Sequence, residues 1–159
     1  MKGKRSILCF AALFLAAITL AACGGDDDST TPPASSTVIT RIAALDNAQE
    51  TTGSTSTGKG GGILTVDTAT GKISGFLVHN VADATRAHIH LGARGVAGGI
   101  LVNLTPVDLP SATMYAVPDN TFFPNPATDL TSFRAGNLYF NVHNPAFPVG
   151  VIRGQIDAP

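Results

Sequence analysis

Asn137-Leu138-Tyr139-Phe140-Asn141-Val142-His143 alternates polar and apolar side chains without a break. In an extended chain successive side chains point to opposite faces. Leu138, Phe140 and Val142 therefore share one face, and Asn137, Tyr139, Asn141 and His143 share the other. The same period recurs at residues 85–91, where Ala87, Ile89 and Leu91 oppose Arg86, His88 and His90. It recurs again at residues 151–156, where Ile152 and Ile156 oppose Arg153 and Gln155. Each stretch offers an apolar face to a core and a polar face that carries the distinctive residues.

Working outward, further strands are expected at residues 38–42, 61–67, 72–79, 99–104 and 112–117, and the last stretch extends over 149–156, each bounded by Gly, Pro, Asn or Asp. The second and third are joined by a hairpin turn near Asp67 to Gly71. About eight short strands predict an all-β fold, a single antiparallel β-sandwich or barrel. One short helix is expected after Pro124. Asn125 suits its N-cap, Pro126 its first position, Leu130 and Phe133 share a face, and Gly136 ends it. Residues 51–62 read as a mobile loop. Residues 92–99 read as a tight Gly-rich connection; no Lys-Ser/Thr pair and no following helix make it a phosphate loop. Phe122, Phe123 and Phe147 stand in loops and are expected to anchor them on the core.

The N-terminus gives an address. Lys2, Lys4 and Arg5 precede an apolar run from Ile7 to Ala22, a secretory signal too short for a comfortable membrane span. Leu20-Ala21-Ala22-Cys23-Gly24 resembles the bacterial lipoprotein signal, in which Cys23 becomes the lipidated first residue. The organisation expected is a signal peptide at 1–22, a Gly-, Asp-, Ser- and Pro-rich flexible tether at 23–36, and a β domain at 37–157. The chain would then reside in the cell envelope, facing the periplasm or exterior, held at the outer membrane by acyl chains. Beyond residue 22, seven Lys and Arg stand against eleven Asp and Glu, a net charge of −4 with His neutral. No basic cluster offers nucleic acid a surface. Cys9 leaves with the signal and Cys23 would be capped, so the domain carries no disulfide and rests on packing.

Three of the four histidines, His88, His90 and His143, lie on the polar faces. If those strands are neighbours in one sheet, His88, His90, His143, Arg153 and Gln155 converge. Two readings follow. Imidazoles suit copper and zinc, so the three histidines form a candidate metal site, with Tyr139, Asn141, Arg153 and Gln155 as a surrounding polar network. Alternatively the same residues hydrogen-bond across strands and to loop carbonyls as a purely structural network. Arg153 suits loop carbonyls or a carboxylate such as Glu50. No Gly-x-Ser-x-Gly elbow and no free cysteine support hydrolysis, so no catalysis is expected.

Several motifs together resemble the chordin-type domain, CHRD. They run from Ala44-Leu45-Asp46-Asn47-Ala48-Gln49-Glu50 through Ala87-His88-Ile89-His90-Leu91-Gly92 and Gly136-Asn137-Leu138-Tyr139-Phe140-Asn141-Val142-His143-Asn144 to Gly150-Val151-Ile152-Arg153-Gly154-Gln155. Two positions depart from the family pattern. Thr51-Thr52 follow the Gln-Glu pair where an apolar residue and proline are usual, and Val151 stands where an acid is usual. The resemblance implies an all-β fold and a non-enzymatic extracellular role, which for animal members is growth-factor association. The string His88-Ile89-His90 is also similar to the paired ligands of copper–zinc superoxide dismutase, but that family's bridging histidine, zinc loop and disulfide have no counterpart. The expected function is a membrane-tethered binding or structural module for an unknown protein or small ligand, with copper or zinc binding as the alternative.

Overall fold

The computed structural model describes residues 37–109 and 112–157. The expected signal peptide, Cys23 and the tether all lie outside the described residues. Among the described residues, nine strands and one helix follow in order: β1 (Val38–Leu45), β2 (Gly60–Asp67), β3 (Ile73–His79), β4 (Arg86–Leu91), β5 (Ile100–Asn103), β6 (Thr105–Leu109), β7 (Ala112–Ala116), α1 (Pro126–Arg134), β8 (Leu138–His143) and β9 (Ile152–Gln155), with a 3₁₀ turn at Asn47–Gln49. They form a five-stranded sheet, β1-β2-β3-β7-β6, and a four-stranded sheet, β5-β4-β8-β9. All the strand pairings are antiparallel. Neither sheet closes on itself, so the sandwich of the two expected architectures is the one adopted.

The apolar faces predicted from alternation meet between the sheets. Leu45, Leu64, Val66, Leu77 and Tyr115 of one sheet pack with Ala87, Ile89, Phe140, Val142 and Ile152 of the other in a single buried cluster. Hydrophobic burial of this kind is the dominant favourable contribution to folding. The hairpin turn between β2 and β3 is present, with Gly71 N–H donating to Asp67 O.

Three expectations are corrected. First, a strand at Thr105–Leu109 was not foreseen, because Pro106 interrupts its pattern; β6 is the outer strand of its sheet, where a missing N–H costs no central ladder bond. Second, Asn125 sits at the N-cap of α1 but its side chain makes no capping bond. The Asp129 carboxylate reaches back instead and accepts the Asn125 N–H at 2.8 Å. Third, residues 51–62 are pinned rather than loose at their start. Thr52 Oγ1 donates to Gly150 O at 2.9 Å, and the buried Ser54 Oγ donates to Val151 O at 2.8 Å.

Of the loop aromatics, Phe123 is buried 6.4 Å from Phe133 and Phe147 packs on the core, whereas Phe122 remains half exposed. Helix α1 is fastened at its far end by Arg41. Its guanidinium lies 4.2 Å over the Phe133 ring and donates to Phe133 O and Arg134 O. A cation on the last carbonyls of a helix is favoured by the orientation of the peptide dipoles.

Candidate functional site

The middle of the four-stranded sheet is covered on both sides: every residue of β8 and β9 is buried, while β5 at its edge is largely exposed. One side faces the core. The other lies beneath the 50–54, 92–99 and 147–151 segments, and this covered polar side carries the histidines. The register sets His88 opposite Asn141 and His90 opposite Tyr139, with His143 opposite Arg86. On the far side of β8, Asn141 pairs with Arg153 and Tyr139 with Gln155. The strand adjacency on which convergence depends is therefore present.

The three imidazoles meet. One ring nitrogen from each of His88, His90 and His143 lies within 4.8 Å of the others, and all three residues are buried. Their hydrogen bonds fix their protons. His90 Nδ1 lies 3.0 Å from Gly98 O, and His143 Nδ1 lies 3.2 Å from Pro148 O. A carbonyl only accepts, so both rings carry the proton on Nδ1 and leave Nε2 as a lone pair. His143 Nε2 then accepts from His88 Nδ1 at 2.9 Å, which makes His88 the same tautomer with its own Nε2 bare. His90 Nε2 is buried with no hydrogen-bond partner.

The electrostatics keep these rings neutral. Burial, followed by the neighbouring His90 and Arg86, lowers the His88 pKa to about 4. Burial, then His88 and His90, lowers His143 to about 4 against a raising contribution from the Pro148 carbonyl. Burial also lowers His90, against its bond to Gly98. A neutral imidazole with one nitrogen tied to a carbonyl is the form that ligates metals.

Arg153 and Gln155 of the predicted network do something different from lining the site. Arg153 is 1% exposed and its guanidinium stacks 3.5 Å over the Tyr139 ring. It donates to Val96 O, Ala93 O and Gln155 Oε1 at 2.9, 2.7 and 2.8 Å. Gln155 Nε2 donates to Gly92 O and Gly136 O, and Tyr139 Oη accepts the Gly98 N–H at 3.0 Å. Tyr139 is in turn stacked on His90, with ring centroids 5.0 Å apart. Arg153, Gln155 and Tyr139 thus hold the 92–99 loop, and that loop supplies the carbonyl that orients His90. Arg153 and Gln155 do not join the histidines. Gly98 is required there, because a Cβ would fall 1.5 Å from Leu91 O.

Asn141 does face the histidines' cavity, a space of about 710 Å³ that is also lined by Glu50, Arg86, Tyr139 and the three histidines. Its Nδ2 donates to Glu50 Oε1 at 2.8 Å, while its Oδ1 is buried without a partner. Burial raises the Glu50 pKa, opposed by bonds from Asn141 and Thr51 and by Arg153. Gly150 makes room for this pair: its φ is +143°, and a Cβ would meet Glu50 Oε1 at 2.7 Å and Asn141 Oδ1 at 2.8 Å. Two further charged residues line the cavity. Arg86 shares the parity of His88 and His90 on β4, whereas no spacing marks Glu50, which reaches the cavity only through the turn at Asn47–Gln49. That turn is capped by Asp46 Oδ1 on Gln49 N–H.

His79 stands apart, on β3 of the other sheet. Its Nδ1 accepts the Val81 N–H at 3.1 Å and its ring stacks on Tyr115. It is therefore the opposite tautomer, built into the packing.

Comparison with curated proteins and with solved structures returns no match. The family model for the CHRD domain matches residues 42–156, which runs from within β1 to the residue after β9 and contains all the residues of the histidine cluster. The chain belongs to the CHRD domain family.

Proposed function

We propose that this CHRD domain is an envelope-exposed binding module, tethered through Cys23, that holds a copper or zinc ion at His88, His90 and His143. The observation that carries the reading is the set of three neutral, buried imidazoles on the Nδ1–H tautomer, with the Nε2 lone pairs of His88 and His90 bare and that of His143 engaged only by the neighbouring His88. Two of the Nδ1 protons are committed to backbone carbonyls, the supporting contact that metal-binding histidines characteristically have. Metal–nitrogen bonds of about 2.1 Å hold ligand atoms within about 4.2 Å of one another, a spacing close to that of the three ring nitrogens, which lie within 4.8 Å. Loading breaks the His88–His143 hydrogen bond, because His143 Nε2 cannot both accept it and ligate. Three nitrogen ligands leave a position open toward the cavity. The role is one of binding, with no catalytic step.

That same His88–His143 bond favours a second reading, a structural network with no ion. The two separate cleanly. Full-length protein purified in detergent is loaded with copper or zinc, desalted, and analysed for metal. One equivalent that is lost in His90→Ala and His143→Ala supports the ion site. Folded parent protein that retains no metal supports the network.

A further inference from the structure

We propose that the outer face of the five-stranded sheet is where two copies of this chain associate, sheet against sheet, about a two-fold axis. The histidine cluster lies on the other sheet, so neither reading depends on the other. Along β1, β2 and β3 one set of alternate residues is buried in the core, and the other set points away from it. The register aligns these outward residues in rows across the strands. One row holds Ile42, Ile63, Phe76 and Ala116. The next holds Ala44, Gly61, Val78, Met114 and Val107. Ile42 is 73% exposed, Phe76 39% and Val78 37%. Neither row contains a charge. A third row, Thr40, Thr65 and Ser74, is uncharged as well, and its two threonine hydroxyls bond each other at 2.9 Å. Charges flank the rows rather than enter them. Lys59 pairs with Asp46 at 3.8 Å beyond one end, and Lys72 donates to Asn120 Oδ1 at 3.3 Å beyond the other. An apolar centre inside a polar rim is the layout of an association surface.

Size and shape favour a second copy as the occupant. Five strands about 4.8 Å apart, each presenting about 20 Å of length, make a face of roughly 500 Å². Two such faces together cover on the order of 1,000 Å², the lower end of specific interfaces, which suits a reversible dimer. Sheets commonly stack face to face at about 10 Å. The strand order puts β3 in the middle, so a two-fold axis through the centre of the face sets Phe76 and Val78 against their own counterparts. Other occupants fit less well. Residues 24–36 hold Ala34 as their one aliphatic side chain, so the tether has nothing to lay on the face. An anionic lipid surface gains little from a chain of net charge −4 beyond residue 22 whose two flanking lysines already have partners. Pairing through the β6 edge is opposed by Pro106.

The test places one thiol on the face of the full-length protein in intact cells. Val78→Cys, with Met114→Cys as a second position, is treated with a short bismaleimide beside the parent and beside Ala127→Cys, an exposed site on α1. Both face variants should yield an adduct of two copies well above the two controls. Adding Ile42→Glu brings a carboxylate from each copy into the apolar centre and should lower that yield about 10-fold or more. The purified Ile42→Glu protein should keep its circular-dichroism spectrum and melt cooperatively, because Ile42 is solvent-exposed in the single copy. Yields no higher than that of Ala127→Cys overturn the proposal, and so does an adduct that Ile42→Glu leaves intact. A face thiol shielded from water-soluble maleimide without any two-copy adduct identifies the membrane as the occupant, and an adduct of another mass identifies a different protein; either result overturns it.

Discussion

Acidifying the metal-free protein from pH 7 toward pH 4 should destabilise it through the histidine cluster. His88 and His143 are held at about 4 in the folded chain, against about 6.5 in an unfolded one. Their folded pKa values are depressed because burial and mutual proximity oppose the charged form. Between those limits the unfolded chain therefore binds more protons, and stability falls as pH falls. A difference of roughly 2.5 units at about 1.36 kcal/mol each gives about 3 kcal/mol for one imidazole. The two rings share a hydrogen bond and each lowers the other, so their contributions are not simply doubled. Glu50 acts with the opposite sign, since its raised pKa favours the folded state on acidification, but it is one group against the cluster. For a urea slope of about 1–3 kcal/mol/M, a loss of 3 kcal/mol lowers the midpoint by about 1–3 M. The chain has no tryptophan, so far-UV circular dichroism in the presence of a chelator is the suitable probe. His143→Gln should show a shallower dependence. A midpoint that is flat or rises between pH 6.5 and 4 would refute the assignment of neutral, desolvated imidazoles.

Two further outcomes follow. Arg153→Ala removes three charge-assisted bonds and a stacked cation from a site that is 1% exposed, and should cost about 3 kcal/mol in urea unfolding and weaken metal binding through the loosened His90. Arg153→Lys should recover little, because an ammonium cannot span both loop carbonyls and Gln155; a loss below about 1 kcal/mol for the alanine variant counts against the account. Cys23→Ala should move the protein from the membrane fraction to the soluble one, and persistent membrane association contradicts the lipid anchor.

Alternation carried most of the fold. Residues 137–143 and 85–91 show period two because one side of each strand meets the core, and the sandwich follows from many such strands. The pattern failed at β6, where an edge position tolerates Pro106. At the site, the histidines were legible because they share a parity with the polar face. The partition of labour was not: Arg153 and Gln155 share that parity yet spend their hydrogen bonds on the 92–99 loop. Parity gives a direction away from the sheet, but not whether a loop or a cavity lies there. The place of Glu50 in the cavity was not legible, for the converse reason. It belongs to no strand, and its position depends on the turn at Asn47–Gln49 and on Gly150, one hundred residues away. Residues 51–62 carry no apolar side chain and so no alternation to mark a packed segment; Ser54 is buried there by donating to the Val151 carbonyl.

Nitrogen-15 NMR of the imidazole rings in the metal-free protein at pH 7 tests the central claim most directly. The account predicts protonated Nδ1 and unprotonated Nε2 for His88, His90 and His143, the opposite tautomer for His79, and a joint change at the Nε2 of all three cluster histidines on addition of one equivalent of zinc. Nε2–H tautomers in the cluster, or rings that ignore the zinc, would contradict it.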